Sequence, residues 1–385
     1  MIKLLKQYRW LLAAFFFLLF SVFLLEQTKT RIPKENYEVM LDAAQRAEKA
    51  AAAIREEKLA RGFSISPIED PNQTGLIGEA YTEITTTLGS LEAKRSATNP
   101  NTAAMIVDML AQCGVSGGDP VAVNLSSSFP GLNLSVLCAL DAIGARGIII
   151  NSVGASTYGA NLPDFTWLDM EQVLLKQNLI QNHSRWFSLG GAGDIGKEMP
   201  EETKQAIITR LTGFGLELIY QEDLAANLAV RTQIYETECD AISTKSIPVC
   251  LINAGGNLLA FGGGSEMVSS KNGIIRPNTL TKNGKTPVIP KTISFNPKPD
   301  ISLGQTGLIP LYLEQGVPVI HLLNMKTLLP SYGLSFDPSP LPQAGEGDVY
   351  TRWQYSRSLA GILLLISLFL LYRAMRSLPR RKMPI

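Results

Sequence analysis

Histidine is nearly missing from this chain: among 385 residues only His183 and His321 carry an imidazole. A histidine-rich metal site is therefore excluded, and no metal ligand set is expected. Cysteine is almost as scarce. Cys113, Cys138, Cys239 and Cys250 are the four, and no two of them stand in a C-x-x-C spacing, which removes zinc-ribbon and thioredoxin-like chemistry. A charge excess is also lacking, with 35 basic against 34 acidic residues and a net charge of +1, so nothing points to a nucleic-acid partner. The residues flanking Ser126-Ser127-Ser128 are not G-x-S-x-G, so no nucleophile elbow is expected there. The glycine run Gly190-Gly191-Ala192-Gly193-Asp194-Ile195-Gly196 ends without the lysine and serine of a phosphate loop and does not match G-x-G-x-x-G at a helix start. No nucleotide, and no other cofactor, is expected.

What the chain does have is an apolar run at each end. Trp10 to Leu25 and Leu359 to Tyr372 contain no charged residue. Each falls short of the roughly 20 residues that a bilayer asks for, and flanking side chains supply the difference by snorkelling. No A-x-A-like site follows the first run, which reads as an uncleaved anchor. Arg373, Arg376, Arg380, Arg381 and Lys382 follow the second run, so the C-terminus is expected in the cytoplasm. Two spans place the N-terminus beside it, in accord with Lys3, Lys6 and Arg9, although Lys29, Arg31 and Lys34 pull the other way. The expected order is a cytoplasmic N-terminus (1–9), a span (10–25), stalk and packing helices (26–98), an extracytoplasmic α/β domain (99–336), a tether (337–357), a span (358–372) and a basic tail (373–385). An oxidising exterior permits disulfides, and Cys239–Cys250 is the pairing favoured by proximity along the chain.

The α/β reading rests on Asp119–Tyr158. Val121 to Leu125 is a short β-branched run that suits a strand. Phe129-Pro130-Gly131 opens a helix, because proline loses no partner in a first turn. Leu132, Val136, Ala139, Leu140 and Ile143 then keep helical spacing, and Gly147 to Ile150 is a second buried strand. Such a βαβ unit makes its strands parallel and its crossover right-handed. The pattern repeats from Trp186 onward, so the expected fold is a mostly parallel sheet built from βαβ units, with one such domain outside the membrane. Leu76 to Leu91 is expected to be helical, Leu258 to Phe261 a returning strand, and Gly273 to Pro299 a surface excursion.

In such sheets ligands lie beyond the carboxyl ends of the strands. Candidate binding groups follow from that rule. The first strand end offers Asn124, Ser126, Ser127 and Ser128; the second offers Asn151, Ser152 and Ser156. The glycine run adds Gly190, Gly191 and Gly193, and a later strand end adds Asn253 and Gly255. Backbone amides near Phe129 are placed to hold an anion, while the same glycines also serve as plain tight turns. A nucleophile is conceivable at Ser126, Ser127 or Ser128, with His183 or His321 as base and Asp194 as its orienting group.

The order of these pieces resembles one family. An N-terminal anchor and an alanine-rich helix precede GDPVAVNLSSSFPGLN (Gly118–Asn133), GARGIIINSVGAS (Gly144–Ser156), FSLGGAGDIG (Phe187–Gly196), LINAGGNLLAFGGG (Leu251–Gly264) and a C-terminal span. Over nearly its full length the chain is similar to the poly-gamma-glutamate system proteins, which accompany bacterial capsule synthase and exporter genes. The resemblance implies a membrane-bound accessory that assists synthesis, export or processing of an anionic extracellular polymer. Its partners would be that polymer, the membrane, and the synthase and export proteins. The resemblance supplies no catalytic residues. The alternative reading is an extracytoplasmic serine-type hydrolase or transferase acting on gamma-glutamyl bonds.

Overall fold

The computed structural model describes residues 8–243, 246–256, 258–262, 272–277 and 307–377. It divides into two compact units. One is drawn from both chain ends, up to Glu35 and from Thr351 onward, and the other runs Asn36–Tyr350.

The first unit holds α1 (Arg9–Thr28) and β1 (Thr30–Pro33) from the beginning of the chain. The second begins with α2 (Tyr37–Ala60), whose buried stripe Met40, Ala43, Ala47, Ala50 and Ile54 keeps the helical period. There follow β2 (Thr85–Thr87), α3 (Leu91–Ala97) and α4 (Asn101–Gln112). Next come β3 (Pro120–Ser126), α5 (Pro130–Ile143) and β4 (Arg146–Ser152). The predicted βαβ unit is thus present, with Pro130 in the first turn of its helix and Gly144 closing it in a left-handed conformation (φ 75°). Short strands β5 (Ala155–Ser156), β6 (Asn161–Leu162) and β7 (Phe165–Thr166) lead into α6 (Trp167–Lys176).

The repeat continues with β8 (Trp186–Ser188), a 3-10 turn at Ala192–Asp194, α7 (Glu201–Gly213) and β9 (Glu217–Leu218). The chain then crosses back through α8 (Leu224–Ile242) to β10 (Cys250–Ala254). The remaining elements of this unit are α9 (Leu258–Phe261), β11 (Gly273–Ile275), α10 (Leu308–Glu314), β12 (Val319–Leu322) and α11 (Met325–Ser331). β13 (Thr351–Gln354) and α12 (Arg357–Ser377) return the chain to the first unit.

Seven strands form the main sheet in the order β11-β12-β10-β3-β4-β8-β9. All pairs are parallel except β11 with β12. Side chains alternate between its faces, as the pleat requires. Val121, Val123 and Leu125 of β3 pack with Ile149, Phe187 and Ile252 beneath α2, α4, α5 and α6. Ala122, Ile148, Trp186, Leu251 and Val319 face the other way, against α8 and α10.

Three expectations fail on this framework. Residues 76–90 contain no helix and are irregular apart from β2, and α3 starts only at Leu91. Ile84 to Thr87 are four β-branched residues in succession, which favour the extended chain. Gly78 also runs so close to residue 159 that a Cβ would fall 1.8 Å from its carbonyl oxygen. Leu258–Phe261 is a helical turn instead of a strand. Cys239 and Cys250 do not pair, since all four cysteines are free and these two lie in the cores on opposite faces of the sheet. The thiol hydrogen-bonded to Cys250 belongs to Cys113. Of the excursion at Gly273–Pro299, Gly273–Ile275 is the edge strand β11, and most of the remainder lies outside the described residues. Residues 337–347, read as part of the tether, are fastened to the second unit. Asp337 ion-pairs with Arg95 at 2.5 Å, and Gly345 donates to Asn101 Oδ1 at 3.0 Å.

In the first unit α1 and α12 pack along each other, antiparallel. Arg373 lies 4.8 Å from the centre of the Trp10 ring at one end, and Tyr355 donates to Glu26 at the other. β1 and β13 close the hairpin. Both helices are long and apolar enough to cross a membrane, each with mean hydropathy 2.0, and 11% and 17% of their apolar windows are buried within the protein. Small residues recur at the buried positions, Ala14 and Ser21 on one helix and Ser367 and Ala374 on the other. Close helix approach in lipid favours such residues.

Candidate functional site

Strand order locates the edge that matters. From β3 the chain moves outward through β4, β8 and β9, then returns to β10 on the other side of β3. The reversal between β3 and β10 is the position at which doubly wound sheets bind ligands. Because the five central strands are parallel, the loops after Ser126, Ser152, Ser188, Ala254 and Leu322 share one edge. All four predicted loops therefore converge.

A row of polar side chains crosses the sheet just below that edge. Asn124, Asn253 and His321 stand at one register level, with Ser126, Ser152 and Ser188 two residues further along. Asn124 donates to Asn253 Oδ1 at 2.7 Å, and Asn253 Nδ2 sits 3.1 Å from His321 Nδ1. That amide donor leaves the His321 proton on Nε2 when the ring is neutral. His321 is buried, and burial lowers its pKa to about 4.

Arg231 of α8 closes the row from above and is wholly buried. Its guanidinium donates to Asn124 Oδ1 at 3.0 Å, Ser188 Oγ at 2.6 Å and Asp194 Oδ2 at 2.8 Å. Ser188 also donates to Asp194 Oδ1 at 2.8 Å. The buried charge is thus paired and hydrogen-bonded, which is how a protein carries one in its interior. Asp194 adopts φ 66° in the glycine run, a conformation few side chains other than Asn or Asp accept.

The glycine run itself holds a carboxylate. Exposed Glu198 folds back and accepts from the Ala192 amide at 3.0 and 3.2 Å. Gly191 permits this approach, since a Cβ there would fall 2.4 Å from Glu198 Oε2.

A second buried cation lies on the α5 side of the sheet. Lys94 of α3 donates to the Ser128 carbonyl and, at 2.5 Å, to Ser156 Oγ, while its ammonium stands 3.6 Å from the centre of the Phe129 ring. No carboxylate partner reaches it among the described residues, and burial alone pushes its pKa down to about 7. The serines join the same cluster. Ser126 Oγ donates to Ser128 Oγ at 3.0 Å, and the Ser156 amide donates to Ser128 Oγ, also at 3.0 Å. Ser127 turns instead to Asn151 Oδ1 at 3.1 Å.

Two sequence-based ideas do not survive this geometry. His183 precedes β8 and so lies at the opposite edge of the sheet, half-buried, against its neighbouring Gln181 carbonyl. Asp194 is committed to Arg231 and Ser188, and His321 to Asn253. The structure therefore assembles no Ser-His-Asp relay, and among the described residues no imidazole is hydrogen-bonded to Ser126, Ser127 or Ser128. The amides expected to receive an anion near Phe129 are covered as well. α5 is buried along its first turns, and a Cβ on Gly131 would lie 2.5 Å from the Ala97 carbonyl oxygen. Lys94 and Arg231 are the functional groups the sequence did not disclose, since each sits in a helix among ordinary polar neighbours. Protein-family models, curated proteins and solved structures give no match to this chain.

Proposed function

We propose that the protein is a two-pass inner-membrane accessory whose main domain stands outside the cell and engages a carboxylate-rich polymer, poly-gamma-glutamate, during its synthesis, export or processing. The resemblance in sequence motifs motivates the choice of polymer. The single observation that carries the binding mode is Glu198 on the Ala192 amide: the Gly190–Gly196 loop accepts a carboxylate through its backbone, at the common strand edge, from a surface side chain that a polymer carboxylate can replace. The placement is supported by the antiparallel pairing of α1 and α12 and by Arg373 and Arg376 at the far end of the second helix. Both termini are then cytoplasmic, and the synthase and export proteins are neighbours in the membrane.

Binding is measured on the purified full chain in detergent, with poly-gamma-glutamate titrated at low and high salt. Removing the internal competitor by Glu198→Ala is expected to raise affinity several-fold, and salt is expected to weaken it. Equal affinity in wild type and Glu198→Ala overturns the binding mode. Protease added to spheroplasts is expected to digest the domain between the spans, and its protection overturns the placement. A second reading, acyl-transfer chemistry at a serine, is favoured by the Lys94–Ser156 contact.

A further inference from the structure

We propose that Ser156 is a nucleophile and Lys94 its general base, forming a serine–lysine pair for cleavage of an amide or ester bond. The assignment deepens the processing arm of the reading above and gives the nucleophile's role to a serine that the sequence offered only as a binding group. Four observations support it. Lys94 Nζ is 2.5 Å from Ser156 Oγ, within reach for proton transfer. Lys94 is 2% exposed and faces no acidic group: its neighbours on α3 turn elsewhere, Glu92 to Ser90 and Arg95 to Asp337. Desolvation without a counter-charge is a standard means of making a lysine basic rather than cationic near neutral pH. The lowered pKa of Lys94, about 7, has that cause.

Third, Gly89 stands over the pair. Its φ lies outside the left-handed region, so the backbone does not require glycine there. What a side chain would cost is space: a Cβ would lie 2.7 Å from Ser156 Oγ and 3.2 Å from Lys94 Cε. The missing side chain keeps a Cβ off the hydroxyl of Ser156, which is 4% exposed beneath a surface segment in which Leu88 is 87% exposed. Fourth, Ser128 Oγ accepts from both Ser126 and the Ser156 amide, and no described acceptor takes its own proton. That proton is the donor available to a developing oxyanion.

The step balances without a redox partner. Neutral Lys94 takes the Ser156 proton as Oγ bonds to the carbonyl carbon. The C–N or C–O bond breaks, and the lysine ammonium returns the proton to the departing amine or alcohol. Water then attacks the acyl-serine, gives a proton to Lys94, and releases a carboxylic acid while the proton returns to Ser156 Oγ.

The test treats the detergent-solubilised full chain with a fluorophosphonate, a probe that reports nucleophilic serines and contains no polymer. The expected result is one adduct, mapped by mass spectrometry to Ser156, formed at a rate that rises about tenfold per pH unit below pH 7 and levels off above it. Ser156→Ala removes the adduct. Lys94→Arg lowers the rate at least about 100-fold, because a guanidinium keeps the charge but cannot accept the proton; a structural cation would be rescued by arginine. Melting curves establish that both variants fold. An adduct at another serine, no adduct on wild type, or wild-type labelling in Lys94→Arg overturns the assignment. Labelling of Ser156 by a chain that fails to bind poly-gamma-glutamate overturns the polymer reading alone.

Discussion

Two cations are buried on opposite faces of one sheet, and they are treated differently. Arg231, on α8, has an ion pair to Asp194 and hydrogen bonds to Asn124 and Ser188. Lys94, on the α5 side, has a carbonyl, a hydroxyl and an aromatic face but no carboxylate. The first arrangement holds a charge permanently and locks the strand ends together. The second leaves the cation poorly compensated, so that it gives up its proton near neutral pH. One region is built for fixed geometry, the other for proton exchange.

The largest effect that separates them is expected from Arg231→Met. Asp194 would remain buried without its partner, costing about 3–5 kcal/mol in denaturant unfolding. Adding Asp194→Asn should recover a large part, because no lone charge is then left. A loss below about 1 kcal/mol would erase the contrast between the regions.

The next effect is a pH dependence. His321 has a folded pKa of about 4 against the ordinary 6.5. The unfolded chain therefore takes up its proton first as pH falls, and stability drops by about 3 kcal/mol between pH 6.5 and 4. Lys94, with a folded pKa of about 7 against 10.5, behaves alike in a higher window, losing stability as pH falls from 10.5 to about 7. Unfolding curves of wild type, His321→Gln and Lys94→Met across pH 4–10 isolate the two contributions.

At neutral pH Lys94→Met is expected to cost no more than about 1 kcal/mol, since the lost hydrogen bonds are offset by removal of a desolvated amine. The contrast with Arg231→Met is the point of that measurement. The smallest effect concerns thiols. Cys113 is half-buried, and its hydrogen bond with Cys250 lowers its pKa, whereas Cys138, Cys239 and Cys250 are buried and raised. Cys113 should alkylate first in the folded protein, leaving the melting temperature nearly unchanged.

Much of the sheet was legible because its signals are local. Pro130, Gly144 and the apolar spacing between them mark a helix, and the β-branched runs on either side mark buried strands. The strand-end loops followed from topology alone. What escaped depends on contacts distant in sequence. Lys94 sits between Glu92 and Arg95 in a run that reads as solvated, and its burial comes from residues 34 and 62 positions away. Arg231 reaches back 107 positions to Asn124. The thiol pairing failed for the same reason, since nearness along the chain cannot tell which face of a sheet a side chain takes. The threonine-rich stretch was different: Ile84 to Thr87 carried the opposing β-branched signal in plain view.

One contact near the domain boundary has a practical consequence. The rings of Tyr37 and Tyr350 stack edge to face with their centres 5.7 Å apart, so the polypeptide enters and leaves the larger unit at a single point. A segment cut at those two tyrosines should be expressible without lipid or detergent, and a few flexible residues would suffice to splice its ends into a ring or to permute them. Crystallisation, solution binding and chemical labelling could then proceed on a piece freed from its hydrophobic hairpin.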